Sequence, residues 1–371
     1  MQADLPLKGK LVLDLTQGIA GPYCGRLLAE HGARVIKAEP PGGDWIRALG
    51  DGPEGESVHF LYYNLGKESI TLDLKSESGL ANALTLAARA DVVLESARPG
   101  VTERLGLGFE AVKAINPTVV YLSVSGFGQV GPRANDPLTD AVAQSFSGMI
   151  SVNHGEDGVP HKIHTTIIDA VTGLYAFQAA SMALYGGVTE AKHLDVSLMQ
   201  SSAAVMGPKI LEFAHLGHTP MLLNPPAGAY ATADGWITVT LVKEVHFAGW
   251  MAAMELDDVA ADPRYGSFPD RQRHQDTLKP PIVARMQERT TDQWLERFEA
   301  HGVLAGRIND YGQWLAEPQV AASHGADEIT VTGEAVLPVP RTPARVSETR
   351  SAPKTGQDQA RITAEFGLSN D

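Results

Sequence analysis

Strand-length apolar runs that alternate with helix-length segments predict a doubly wound α/β domain on a parallel sheet, followed by a smaller α/β unit. Three observations carry this expectation. At 371 residues the chain exceeds one ordinary domain and is comfortable as two. Its composition, 43% hydrophobic and 20% charged, is that of a folded globular protein, and its 37 glycines and 23 prolines point to many tight connections rather than disorder. From Lys10 to Ala38 the chain reads strand, turn, helix, strand, a βαβ unit that implies parallel strands with a right-handed crossover.

The first strand is predicted over Lys10–Thr16 and leads through Gln17–Gly21 into an amphipathic helix, Pro22–His31. Pro22 suits a first helical position, where its missing N–H is not needed, and Gly18 and Gly21 let the backbone approach a neighbour. A second strand, Arg34–Ala38, follows Gly32 directly. Further strands are expected at Ser69–Leu74, Asp91–Leu94 and Val119–Val124, with helices at Ser76–Ala90 and Val101–Ile115 between them. Pro40 to Asn64 has no clear period, and long loops in compact domains are more often functional than idle. Gly126–Pro137 is a second polar loop and leads into a helix at Leu138–Ile150. A later apolar run ends at Asp169, where a small-residue helix begins at Ala170. His193–Gln200 reads as a strand running into a helix that ends near His215. The large domain is therefore placed at 1–218, and the paired prolines of 219–228 mark a semi-rigid linker. A small domain follows at 229–332. It has strands at Trp236–Leu241 and Ala305–Ile308 and helices at Lys243–Met254, Asp270–Glu288 and Thr291–His301. In the closing segment, 333–371, alternate prolines in LPVPRTPARVS force extended backbone, and Gln357–Phe366 is a last helix.

Composition narrows the chemistry. A net charge of −14 argues against general binding to nucleic acid or to anionic membranes, so any phosphate site must be local. One cysteine, Cys24, cannot form an internal disulfide, and the start of the chain has no long apolar run, so a cytoplasmic location is expected. There is no H-E-x-x-H and no Cys cluster, which sets metals aside, and neither a G-x-G-x-x-G fingerprint nor a Walker A loop, which disfavours NAD and ATP. Without a G-x-S-x-G elbow, and with burial the commoner fate of a lone Cys, neither Ser nor Cys24 is a convincing nucleophile.

Asp169 is the acid that stands out, and two readings of it are open. It can cap the helix that starts beside it, or it can meet a ligand through the gap left by Gly173 one turn on, where the helix N-terminus steadies negative charge. His161 and His164 are secondary candidates, against the commoner structural role of loop histidines. Lys37, Lys67, Arg98 and Arg104 fall at strand ends or the loops beside them, where open α/β sheets bind ligands; the alternatives are ordinary solvation and, for Lys37, a pair with Glu39.

The ordered motifs LKGKLVLDLTQGIAGPYCGRLLAEHGARVIKAEPPGGD, FLYYNLGKESITLDLKS, DVVLESARPGVTERLGLG, INPTVVYLSVSGFGQVGP and IIDAVTGLYA resemble the family III CoA-transferases, the CaiB/BaiF group. The likeness continues through DPRYGSFPDRQRH, GVLAGRINDYGQWLAEPQV and LPVPRTPARVS, so it covers nearly the whole chain. The resemblance implies a Rossmann-like large domain, a final segment that returns to it, and a homodimer of two chains interlinked like rings. It implies that Asp169 is the catalytic nucleophile and that coenzyme A, as acyl-CoA, is a substrate rather than a tightly bound cofactor. The partners it implies are an acyl-CoA donor and a carboxylic acid acceptor. Gln17 and Ala20 match positions near CoA; Leu72, Ser96 and Ala97 join them; Lys37, Arg98 and Arg104 are matched to its phosphates and adenine. Oxyanion donors are expected from the first turn around Gly173 or the loop at Gly126. The acyl pocket is expected near Trp45 and Pro225–Tyr230.

Two departures qualify the resemblance. Oxalate-using relatives carry consecutive glycines after the linker, where this chain reads NPPAGAYATADGW, so oxalate and formyl-CoA are not favoured. Racemases of the same fold use a His–Asp pair where this chain has Thr139 and Asp140, and losing the His removes one partner of two-base proton transfer. A 2-methylacyl-CoA racemase is the second reading, and a non-catalytic acyl-CoA binding protein the third.

Overall fold

The computed structural model describes residues 5–369 apart from 154, 156–157, 219–223, 346–347 and 349, so part of the expected linker at 219–228 lies outside the described residues. The chain forms two compact units, residues 1–210 with 324–371, and residues 211–323.

The first unit is built on six strands: β1 (Leu11–Asp14), β2 (Arg34–Glu39), β3 (Glu68–Thr71), β4 (Val92–Glu95), β5 (Val120–Ser125) and β6 (Lys192–Ser197). All neighbours are parallel, in the order β3-β2-β1-β4-β5-β6. The chain winds outward from β1 through β2 to β3, then returns to β4 and winds the other way. This doubly wound order reverses between β1 and β4, and at such a point the connections diverge and leave a crevice at the strand C-termini. Strand side chains alternate between two cores. Val12, Val35, Val92 and Val120 face one, while Leu13, Ile36, Val93 and Tyr121 face the other. Burial on both faces is why these strands read as continuous apolar runs.

The helices of this unit are α1 (Ala20–Glu30), α2 (Val58–Asn64), α3 (Glu77–Ala87), α4 (Val101–Leu105), α5 (Phe109–Ile115), α6 (Asp140–Phe146), α7 (Met149–Val152), α8 (Ile167–Tyr185) and α9 (Leu198–Val205); α10 (Gly207–Leu216) crosses into the second unit. Glycine explains two departures from expectation. The helix predicted over 101–115 is broken by Gly106 at φ 79°, and that over 138–150 by Gly148 at φ 80°, left-handed conformations that end a helix without steric cost. The stretch 40–64 is not a plain loop: it holds a short 3-10 turn at Trp45–Ala48, capped by Asp44, and α2, capped by Ser57.

In the second unit β7 (Gly228–Ala231), β8 (Trp236–Thr240) and β9 (Leu304–Arg307) form an antiparallel sheet. Helices α11 (Glu244–Met254), α12 (Asp257–Ala261), α13 (Phe268–Arg273), α14 (Gln275–Met286), α15 (Thr291–Ala300), α16 (Tyr311–Ala316) and α17 (Pro318–Ala322) complete it, over a core that includes Trp250, Trp294 and Phe298. Thr290 and Gln293 form the capping box of α15.

The C-terminal segment belongs to the first unit. Strands β10 (Ala326–Thr332) and β11 (Ala335–Pro340) make a hairpin, and α18 (Gln359–Phe366) lies beside the edge strand β3. There the Asp358 carboxylate accepts the Ser69 N–H at 2.9 Å and the Gln359 side-chain carbonyl accepts the Thr71 N–H at 2.8 Å, which blunts a free sheet edge.

Helices α1 and α8 pack closely on one face of the sheet. A glycine inside a helix costs about 1 kcal/mol relative to Ala, so Gly173 in α8 needs a packing reason. A Cβ there would lie 2.8 Å from the Ala20 carbonyl oxygen and 2.9 Å from Tyr23 Cβ. Gly173 is thus not a gap for a ligand but the point where α1 meets α8. Gly173→Ala should destabilise the protein by about 1–3 kcal/mol through overpacking, measured by urea denaturation.

Candidate active site

Helix α8 precedes β6 as α1 precedes β2, so both helices begin at the C-terminal edge of the sheet, the edge where the crevice lies. The helix starts at Ile167, not Ala170, which puts Asp169 inside its first turn. Asp169 does not cap it. That role falls to Asp140, the first residue of α6, whose Oδ2 accepts the N–H of Ile168 at 2.7 Å and of Asp169 at 3.1 Å. Asp140 Oδ1 accepts from Gln144 Nε2 at 2.6 Å, and Gln144 Oε1 accepts the Ile163 N–H at 2.9 Å, which fastens the segment entering α8. His161 and His164 are exposed in that segment. Tyr63 closes another side, its hydroxyl 3.1 Å from Thr166 Oγ1.

Two carboxylates therefore sit beside one helix start with different duties. Burial, and then the Asp140 charge, push the Asp169 pKa up to about 7. Burial and the Asp169 charge also raise that of Tyr63, among other neighbours. The N–H groups of residues 168 and 169 are taken by Asp140, and Gly173 is closed by α1, so the first turn does not offer the oxyanion donors expected there. In the other expected place, Gly128 N–H bonds Ser125 Oγ and Gln129 N–H bonds Asp195 Oδ2, both at 3.0 Å. Cys24 is buried, and burial pushes its thiol pKa far up.

At the switch point lies a cleft of about 370 Å³ that gathers Gln17, Trp45, Glu95, Ser96 and Ala97. The Gln17 N–H donates to Ser96 Oγ at 3.0 Å and so ties the loop after β1 to the loop after β4. Three of the expected CoA contacts, Gln17, Ser96 and Ala97, are thus brought together. Arg98 and Arg104 are exposed on the turn and helix that follow, with the Arg104 guanidinium over Gly100. The structure places the remaining three differently. Ala20 is buried at the contact with Gly173, and the Leu72 side chain lies in the core under α3.

Lys37 faces protein. Its ammonium is fully buried, 2.8 Å from Asp44 Oδ2 and 2.9 Å from the Thr16 carbonyl oxygen. It pairs with Asp44 rather than Glu39, which is held by Arg47 at 2.8 Å. Asp44 in turn accepts the Gly18 N–H at 3.0 Å. Lys67 reaches Asp14 Oδ2 at 2.7 Å and the Pro22 carbonyl and Asn64 Oδ1 at 2.8 Å each. Burial opposes the ionised form of Asp14, but the Lys67 and Lys37 charges outweigh it and hold its pKa low. Burial lowers the Lys67 pKa to about 8. Both ammonium groups are taken up by internal partners.

The sequence alone did not mark Asp140, Tyr63 or Glu95 as site residues. Asp140 was visible only as half of a pair whose His is missing, because a cap supplied by another helix leaves no local spacing signal.

Residues 7–359 match the profile of CoA-transferase family III. A succinate–glutarate CoA-transferase of Agrobacterium fabrum is 32% identical over 97% of this chain and 96% of its own. An acetyl-CoA:oxalate CoA-transferase of Acetobacter aceti is 31% identical, covering 97% and 96%. The crystal structure of a CaiB/BaiF family protein from Brucella suis superposes with a TM-score of 0.86 at 30% identity, over 97% of this chain and 99% of that one.

Lys37→Ala would leave Asp44 buried without its partner. Urea denaturation should then show a loss of about 3–5 kcal/mol, the cost of breaking one side of a buried pair.

Proposed function

The chain belongs to CoA-transferase family III, and from that premise we propose that it moves CoA from an acyl-CoA to a free carboxylic acid with Asp169 as the nucleophile. The observation that carries this reading is the environment of Asp169: a desolvated carboxylate beside a second carboxylate, at the start of α8. Its charge is disfavoured by burial and by Asp140. Acylation removes that charge, so the surroundings that raise its pKa also favour the covalent intermediates.

In the proposed sequence an Asp169 oxygen attacks the thioester carbonyl, and the tetrahedral adduct expels CoA thiolate to leave a mixed anhydride. The thiolate attacks the aspartyl carbonyl and releases the first acid as its carboxylate, giving an aspartyl-CoA thioester. The acceptor carboxylate then attacks that carbonyl and expels the thiolate, forming a second anhydride. Attack of the thiolate on the acceptor's carbonyl yields the new acyl-CoA and restores the Asp169 carboxylate. No proton is gained or lost overall. The cleft with Gln17, Ser96 and Ala97 is the proposed seat of the CoA moiety, with Arg98 and Arg104 reaching its phosphates from the rim. Lys37 would act indirectly, through Asp44 and the loop it anchors.

The name of the Agrobacterium fabrum relative supports succinate and glutarate, acids with two carboxyl groups, as donor and acceptor. A homodimer, interlinked as the family resemblance implies, is also proposed. It is supported by the outward face of α8, where Leu174, Tyr175, Met182 and Tyr185 are exposed in the single chain.

Three outcomes test this reading. After incubation with succinyl-CoA, peptide mass spectrometry with hydroxylamine trapping should find an adduct confined to the peptide holding Asp169 and absent in Asp169→Ala. No adduct with a donor that demonstrably binds, together with deuterium entry at the donor's α-carbon, would favour the racemase reading instead. Because the ionised form attacks, kcat/KM should fall about tenfold per pH unit as pH drops below about 7. Asp140→Asn removes the neighbouring charge, so it should move that acid limb to lower pH, while the weakened cap costs about 1 kcal/mol.

Linkage adds a further check. A carboxyl whose pKa is raised on folding contributes most below its unfolded value, 3.8, and loses that contribution as pH rises through about 7. Asp169→Asn should therefore raise Tm at pH 8 and change it little below the unfolded value.

A further inference from the structure

Glu95 is a buried acid that the transfer steps do not use. It ends β4 with 4% of its surface exposed and lines the cleft next to Ser96 and Ala97. Its Oε2 accepts the Ala97 N–H at 2.8 Å, and its carboxylate bonds the hydroxyl of Ser123, its register partner on β5. Ser123 is buried as well, and its Oγ lies 2.9 Å from His193 Nε2 on β6. The His193 ring stacks on Phe109 at 5.0 Å, meets Tyr121 edge-on at 5.4 Å, and is exposed to solvent. An unbroken hydrogen-bonded row, Glu95–Ser123–His193, thus crosses three strands from the cleft wall to water.

The charged groups that act on Glu95 are Glu103 of α4 and Asp195 of β6, both acidic; Tyr121 of β5 is its other titratable neighbour, beside His193. Burial, with these two acids, raises the Glu95 pKa to about 7 against the two hydrogen bonds that favour its ionised form. A fixed negative charge in a low-dielectric wall repels a polyanion such as the diphosphate of CoA.

We propose that Glu95 couples CoA binding to proton uptake: it is largely ionised in the empty cleft at mildly alkaline pH and becomes the neutral acid when the CoA moiety enters. The transfer is balanced. One proton passes from water to His193, His193 Nε2 gives a proton to Ser123 Oγ, and Ser123 gives its own to a Glu95 oxygen. Nothing is oxidised or reduced. This inference rests on the assignment of the cleft to CoA.

The test is isothermal titration calorimetry of the full-length protein at pH 8 in two buffers of different ionisation enthalpy, whose difference counts protons. Dephospho-CoA is the ligand, because it lacks the phosphomonoester, whose own pKa of about 6 would confuse the count. The wild type should take up on the order of half a proton or more per site at pH 8 and much less at pH 6, where Glu95 is already protonated. Glu95→Gln, a neutral near-isostere, should bind with little proton uptake and a flatter dependence of Kd on pH. Binding without proton uptake in the wild type, or equal uptake in Glu95→Gln, overturns the inference and leaves the CoA assignment standing. Failure of the wild type to bind either CoA or dephospho-CoA overturns both. Should Glu95→Gln not fold, uptake is counted in Asp169→Asn, which lacks the other carboxyl raised to about 7: uptake that persists there supports the assignment to Glu95, and its loss overturns the inference.

Discussion

Two buried ion pairs hold the C-terminal edge of the sheet in shape around the start of α1. Asp14–Lys67 and Lys37–Asp44 have no exposed side-chain surface, and between them they connect the ends of β1 and β2, the start of α1, the turn at Trp45 and the entry to β3. Charges this deep are tolerated because each ammonium also meets carbonyl oxygens or an amide, and each carboxylate also accepts backbone N–H groups. The loop carrying Gln17 and Gly18 is tied on its other side by Ser96, which accepts the Gln17 N–H. Helix α1 in turn packs against α8 at Gly173.

At Asp169 and Glu95 the electrostatics differ. Asp169 and Glu95 are desolvated carboxyl groups whose nearest charged influences are acidic, and both are pushed towards neutrality. Asp14 and Glu39 lie deeper than Asp169, which is half-buried, but have cations against them, and their pKa values are held low. Desolvation acts on all four; the sign of the neighbouring charge decides which pKa values rise and which fall. Asp140 occupies a middle position. As a helix cap it is structural, and by its charge it tunes Asp169.

Much of the fold was legible in local pattern. Apolar runs located the inner strands of the parallel sheet, since strands buried on both faces announce themselves without reference to their neighbours, whereas the edge strand β6 alternates exposed and half-buried residues. Helix breaks at Gly106 and Gly148 were missed because a glycine within a helical period does not state its φ. The hairpin at 326–340 was read only as extended chain, because its pairing needs a partner that sequence position does not name. Lys37 shows a related limit. The resemblance matches it to the CoA phosphates, but whether a cation faces water or a buried acid depends on Asp44, seven residues away and folded back beneath it.

By itself the sequence determined the strands of the parallel sheet, the parallel winding and, through ordered motifs, the family with Asp169 as its candidate nucleophile. These are local or collinear properties, written in periodicity and spacing. Only the tertiary structure decided that Asp140 and not Asp169 caps α8, that Gly173 is a helix contact, that Lys37 and Lys67 are internal, and that Glu95 closes a cleft at the switch point. Each of these depends on which groups from distant segments come within a few ångströms, and the resulting burial and neighbouring charge decide what an acid or a cation can do.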